Sequence, residues 1–339
     1  NNGEIRLTSG TDIAIGTDSA INNNPSGTID IKSDGAEIRL LGSAPNVLNN
    51  TGLIKTTFPN PSDQSIIWAQ LNENGGTIQV ESGTLSLNNA NSTLTNSVLN
   101  ISSGAALQWL MPVTVSGNLT GNLEGTLVWD DPLLITSSAT FNFSGNGVVD
   151  WKSGDLNGGG ILTNFSTITK STGISASILG TTTLNNENEL HLTGASDIFI
   201  GTGSVINNNA NGIIDIKFGG AAIGINGVAP NVLNNFGLIK GNAPTAIATI
   251  SATVNNSGTI EAALNPLIFS GTLINESSGI IKGVASIELP IPLNFTNNGT
   301  FAPGASPGTL NLVGDYSSTA SSILDMELNG LTQGPEKEE

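Results

Sequence analysis

The chain has 339 residues and no cysteine, with 10 lysines and arginines against 27 aspartates and glutamates, a net charge of −17. Nucleic acid is excluded as a partner, since phosphate contacts need clustered Lys and Arg, and so are thiol nucleophiles and thiolate metal sites. With 37% hydrophobic and 11% charged residues it is no disordered acidic tail, and no apolar run reaches the roughly 18 residues of a membrane span.

The chain opens Asn1-Asn2-Gly3-Glu4 with no methionine or leader, and reads as a fragment or mature form. Short alternating runs follow, bounded by Gly and Asn, as in Gly27-Thr28-Ile29-Asp30-Ile31-Lys32 and Gly83-Thr84-Leu85-Ser86-Leu87. Period-two alternation of this length predicts half-buried strands. No long stretch has the spacing of an amphipathic helix. Asp30 and Lys32 should project outward together as an exposed charge pair of little energetic worth.

Self-similarity dominates the sequence. At an offset of 185 residues Asp12-Ile13-Ala14-Ile15-Gly16-Thr17 meets Asp197-Ile198-Phe199-Ile200-Gly201-Thr202, and Ala44-Pro45-Asn46-Val47-Leu48-Asn49-Asn50 recurs unchanged from Ala229 to Asn235. Residues 1–184 are one long unit, 185–330 a second, diverged and shorter copy, and 331–339 a truncation end or tag. Inside each unit runs a shorter beat: Gly27, Gly52 and Gly76 in the first, and Gly212, Gly237, Gly258, Gly279 and Gly299 in the second, in steps of 20–25 residues. Units this short bury an apolar face only by stacking coil on coil. The predicted fold is therefore all-β, a parallel β-helix of about 16 coils and on the order of 75 Å in length, with a β-sandwich as the alternative. The recurring Asn pairs suit its corners, where Asn tolerates left-handed backbone and can form an amide ladder. Asn100, Asn118 and Asn298 also begin glycosylation-type triplets, which chance supplies often in so Asn-, Ser- and Thr-rich a chain.

Chemistry is sparse. The single histidine, His191, alternates with Leu190 and Leu192 and should be an outward strand residue, so no His-dependent triad is available. Asp130, Asp131 and Asp150 are the tightest carboxylate group. They are the candidate calcium ligands, and with Asp155 the only basis for a polysaccharide hydrolase or lyase, which needs paired carboxyls in one cleft. Trp109, Trp129 and Trp151 are spaced one coil apart and are the candidate ligand-binding residues if they face outward as a sugar platform. Leu107, Leu127 and Val149 precede them by two residues and point the same way, which favours an interior stack instead. Trp68, after Ile66, should pack inward.

Near the C-terminus the run Phe301-Ala302-Pro303-Gly304-Ala305-Ser306-Pro307-Gly308-Thr309-Leu310 leads to Gly314-Asp315-Tyr316 and Leu324-Asp325-Met326-Glu327-Leu328-Asn329-Gly330. This stretch resembles the ending of β-helical passenger regions in large secreted bacterial adhesins of the autotransporter-like kind. Residues 151–164, Trp151-Lys152-Ser153-Gly154-Asp155-Leu156-Asn157-Gly158-Gly159-Gly160-Ile161-Leu162-Thr163-Asn164, look like a coil of such proteins. The resemblance is close over the last 40 residues and stylistic elsewhere. It implies a right-handed β-helix, export to the cell surface or medium, neighbouring coils of a larger parent protein, and a structural or adhesive role with a glycan or surface ligand. It carries over no catalytic residue and no cofactor, and the expectation is a non-enzymatic stalk or adhesin segment.

Overall fold

A computed structural model describes residues 1–289, 295–303 and 310–326. Residues 304–309, which hold Pro307-Gly308, and the segment from Glu327 onward lie outside the described residues. Among those described there is no helix. Strands of mostly three to five residues follow one another around three faces, and every pairing joins a strand to the one a full coil later, always parallel. That is a β-solenoid, and it excludes the sandwich, whose sheets are antiparallel.

The first face begins with Glu4–Leu7, the second with Ile13–Gly16 and the third with Ser19–Asn23. Among the described residues the second face is the most complete, with 15 strands from Ile13–Gly16 to Ile323–Leu324. Fifteen stacked strands make 14 turns, fewer than expected from a uniform coil. Early coils are longer: registers Glu4↔Thr28, Thr28↔Leu53 and Leu53↔Thr77 span 24, 25 and 24 residues before Thr77↔Val98 settles at 21. At about 4.8 Å per coil the rod is on the order of 67 Å long.

Alternation places one aliphatic row per strand position on the axis, as in Ile29, Ile54, Ile78 and Leu99, all fully buried. The axis also holds amides. Asn164, Asn186, Asn208, Asn235, Asn256 and Asn275 each donate from Nδ2 to Oδ1 of the next rung at 2.6–3.1 Å, ending at Asn297. A shorter ladder runs Asn1, Asn23, Asn50 and ends on Glu73. Each amide both donates and accepts, so burial leaves the rungs satisfied.

Glu73 breaks that pattern. It is fully buried, in register with Asn50 on one side and Leu94 on the other, and its Oε2 accepts from Asn50 Nδ2 at 2.6 Å. Leucine offers no donor, and burial pushes the Glu73 carboxyl up to about 7, against the opposing pull of the Asn50 amide. A carboxyl whose folded pKa is raised contributes stability that is intact below its unfolded value, near 4.5, and lost as pH rises through about 7. The shift corresponds to on the order of 3 kcal/mol. Glu73→Gln should therefore match the parent in urea denaturation at pH 4 and exceed it by about that amount at pH 8.5. An equal difference at both pH values would contradict a titrating Glu73.

The two sequence copies do not sit on the same faces. Ile13–Gly16 lies on the second face, whereas its counterpart Ile198–Gly201 lies on the third. From Ser19–Asn23, one face after Ile13–Gly16, eight pairings lead up the third face to Ile198–Gly201. The second copy is thus displaced by eight turns and one face. The two Asn ladders show the same shift, ending the third face in one copy and the first face in the other.

The Asp30–Lys32 pair is not the exposed pair expected. Asp30 is 1% exposed, covered by Lys32 at 3.2 Å and Lys55 at 3.4 Å, with Thr57 Oγ1 donating at 2.8 Å. Burial would raise its pKa, but the Thr57 and Lys32 hydrogen bonds and the Lys55 charge hold it below the ordinary value. His191 is partly buried beside Glu189 at 3.1 Å, and burial with the nearby Lys217 charge lowers its pKa. In the first copy Arg6 and Glu4 occupy the same relation, 2.6 Å apart.

Candidate functional site

The three tryptophans proposed as a ligand platform lie inside. Each ends a second-face strand, Ala106–Trp109, Thr126–Trp129 and Val148–Trp151, and they stack in register. All three are buried. Trp129 and Trp151 are parallel with ring centroids 4.3 Å apart, while Trp109 meets Phe141 edge-on at 6.3 Å. Trp129 Nε1 donates to the Asp131 carbonyl at 2.7 Å and Trp151 Nε1 to Gly154 at 2.8 Å. The platform reading of Trp109, Trp129 and Trp151 is corrected accordingly: they share the parity of Leu107, Leu127 and Val149, whose side chains form the core.

The next rung of this column is a lysine. Lys170 pairs with Leu192 above and aligns with Trp151 below, where Val149↔Ile168 and Asp150↔Thr169 set the register. Its side chain is fully buried, and Nζ donates to the carbonyls of Lys152 at 2.7 Å and Ile174 at 2.6 Å. Burial lowers its pKa to about 8, partly offset by Asp150 and Asp130. The parity of Thr167-Ile168-Thr169-Lys170 already put Lys170 on the side of Ile168; only its charge argued otherwise.

The carboxylates are engaged separately. Asp130 Oδ1 accepts from Ser153 Oγ at 2.8 Å, and Asp150 Oδ1 accepts from Ser171 Oγ. Burial and the charge of Asp130 raise the Asp131 pKa. Among the described residues no three His, Cys, Asp or Glu side chains gather to hold an ion. The calcium assignment to Asp130, Asp131 and Asp150 is corrected on that ground: Asp130 and Asp131 follow the strand Thr126–Trp129 into the corner, whereas Asp150 lies within Val148–Trp151, in register with Val128.

A different surface stands out. After second-face strand Ile38–Leu41 the chain makes a wide corner through Gly42, Ser43, Ala44 and Pro45 before Asn46–Asn50. One coil later only Trp68 and Ala69 separate Gln64–Ile67 from Gln70–Asn74. The tight corner leaves Leu40 and Leu41 uncovered as a ledge, 41% and 64% exposed. Trp68 stands next to it, 36% exposed. It does not pack inward as expected, because Ser65, Ile67 and Ala69 hold the inward parity. Glu37, Arg39, Leu40 and Trp68 line an open cleft of about 400 Å³. Trp68 Nε1 donates to Glu37 Oε2 at 3.0 Å, and Arg39 Nε lies 2.8 Å from Glu37 Oε2 and 2.9 Å from Asp12 Oδ2. The indole and guanidinium are thereby held in place before any ligand arrives.

The second copy builds the same ledge without the cleft residues. Thr17 Oγ1 accepts from Ser43 N, and Thr202 Oγ1 from Val228 N, both at 3.0 Å. Asn46 and Asn231 donate to the Ile15 and Ile200 carbonyls, both at 2.8 Å. Asp12 and Asp197 accept from Glu37 N and Ala222 N at 2.9 and 2.8 Å. The registers Ile38↔Ile67 and Ile223↔Ile250 make Ser251-Ala252 the counterpart of Trp68-Ala69. Glu37, Arg39 and Trp68 thus correspond to Ala222, Gly224 and Ser251. Phe199 packs over Gly224, where a Cβ would fall 2.5 Å from its ring.

No protein-family model and no curated protein sequence matches this chain.

Proposed function

We propose that this chain is a stalk segment of an exported bacterial surface protein, a rigid β-solenoid whose flank makes weak contact with glycans, and that it is not an enzyme. The observation that carries this reading is the one-face offset between copies. A shift of a third of a turn retains the axial aliphatics, the amide ladders and the ledge corners, which is what a rod needs. It sends equivalent outward residues to different sides, so the duplication repeats the rod and not any one surface constellation. The outward charges have diverged accordingly: Asp18 and Asp34 correspond to Gly203 and Gly219. A core continuous along the axis stabilises the rod without disulfides, which suits an extracellular setting, and the reading calls for no cofactor.

A glycan array run beside a reducing-sugar release assay on the same polysaccharides tests it. Retention without release is the expected result. Release of sugar ends would sink the stalk reading and turn attention to Asp130, Asp150 and the buried Lys170.

A further inference from the structure

We propose that the cleft between Trp68 and the Leu40 ledge binds a neutral sugar ring, with the indole carrying the apolar face of the pyranose and Arg39 and Glu37 meeting its hydroxyls. The inference rests on the adhesive reading above and assigns it a place.

The cleft is open to solvent and, like ligand sites, combines an apolar wall with a few fixed polar groups. Here the apolar surface is Trp68 and Leu40, and the polar rim is Glu37 and Arg39, with Asp12 behind. A wholly apolar ligand would strip water from the charged rim without replacing its hydrogen bonds. An anion would meet two carboxylates against one guanidinium, on a chain of net charge −17. A cation would compete with Arg39, which already lies between both carboxylates. A chair-form ring with axial C–H groups on one face and hydroxyls around its edge satisfies every wall at once. Arg39 approaches both of its carboxylate partners through Nε.

The second copy shows that the ledge does not need these residues for its own construction. Ala222, Gly224 and Ser251 stand in their places while the Thr202, Asn231 and Asp197 bonds persist. Trp68, Arg39 and Glu37 are therefore additions to a scaffold that folds without them. This also makes Trp68→Ser and Arg39→Gly safe variants, since each copies a residue that the other ledge already accommodates.

The four tryptophans divide usefully: Trp68 is exposed and Trp109, Trp129 and Trp151 are buried. Acrylamide quenching of the intact chain thus reports chiefly on Trp68. The test titrates neutral trimers of glucose, mannose and galactose, with a uronic-acid trimer as the charged comparison. At least one neutral trimer should bind saturably in the millimolar range or tighter and shield Trp68 from quencher. Binding, read by calorimetry, should vanish in Trp68→Ser and weaken about tenfold or more in Arg39→Gly, with circular dichroism unchanged. Neutral trimers that neither bind nor shield, binding undiminished in Trp68→Ser, or preference for the uronic acid would each overturn the proposal. Sugar binding that survives Trp68→Ser would refute this site and leave the stalk reading standing. Sugar release by the parent chain would refute the stalk reading whichever variant is used.

Discussion

Replacing Trp129 by alanine is expected to cost about 3–5 kcal/mol, the range for emptying an aromatic from a packed core. The indole lies between Trp109 and Trp151 in register, stacks on the latter at 4.3 Å and satisfies its own N–H on the Asp131 carbonyl. A rigid β-coil on either side cannot collapse into the void, because its strands are held by ladder hydrogen bonds to both neighbours. Urea denaturation measures the loss, and the exciton signal of two stacked indoles should disappear from the circular dichroism spectrum. Trp109 supplies the contrast. Its Nε1 is buried with no hydrogen-bond partner, so Trp109→Phe removes an unsatisfied donor and should cost about 1 kcal/mol or less. Trp129→Phe forfeits a formed bond and should cost more than Trp109→Phe. The reverse order would mean that the Asp131 bond contributes nothing.

Gly237→Ala should be comparably severe, at about 3 kcal/mol or more. A Cβ on Gly237 would fall 2.2 Å from the Gly212 carbonyl oxygen and 2.4 Å from that of Asn209. Backbone cannot give way there without parting two coils. Relief would stretch the bonds from Leu238 N to Gly212 O and from Phe236 N to Asn208 O, now 2.9 and 2.7 Å, and the Asn208–Asn235 rung at 2.8 Å. The same steric demand recurs at Gly52, Gly76 and Gly258, each of whose Cβ atoms would fall under 3 Å from an oxygen of an earlier coil or corner. Gly3, with nothing near its Cβ position, is the control and should tolerate alanine with little change. Because a solenoid's coils depend mainly on their nearest neighbours, the damage should be local. Limited proteolysis should cut Gly237→Ala near that coil while leaving the first copy intact. Uniform sensitivity along the chain would contradict this.

Much of this was legible in the residues. Gly27, Gly52 and Gly76 marked the coil length, and close coil-to-coil contact at an Asn-flanked corner explains why they are glycine. The asparagine pairs announced their ladders. Trp68 was misread. Alternation says which residues of a strand share a side, and residue type is then used to decide which side is the axis. At Trp68 the inward row is Ser65, Ile67 and Ala69, so bulk pointed the wrong way.

The 185-residue repeat, the strand lengths and the need to stack followed from sequence alone, because apolar period and glycine spacing are local quantities. The face on which each copy lies did not. It is the sum of every corner length before it, and a two-residue corner such as Trp68-Ala69 against the wide one after Leu41 changes that sum without leaving a local mark. The tertiary structure alone decided that the second copy is turned by one face and that the exposed indole stands beside a ledge whose twin carries a serine in its place.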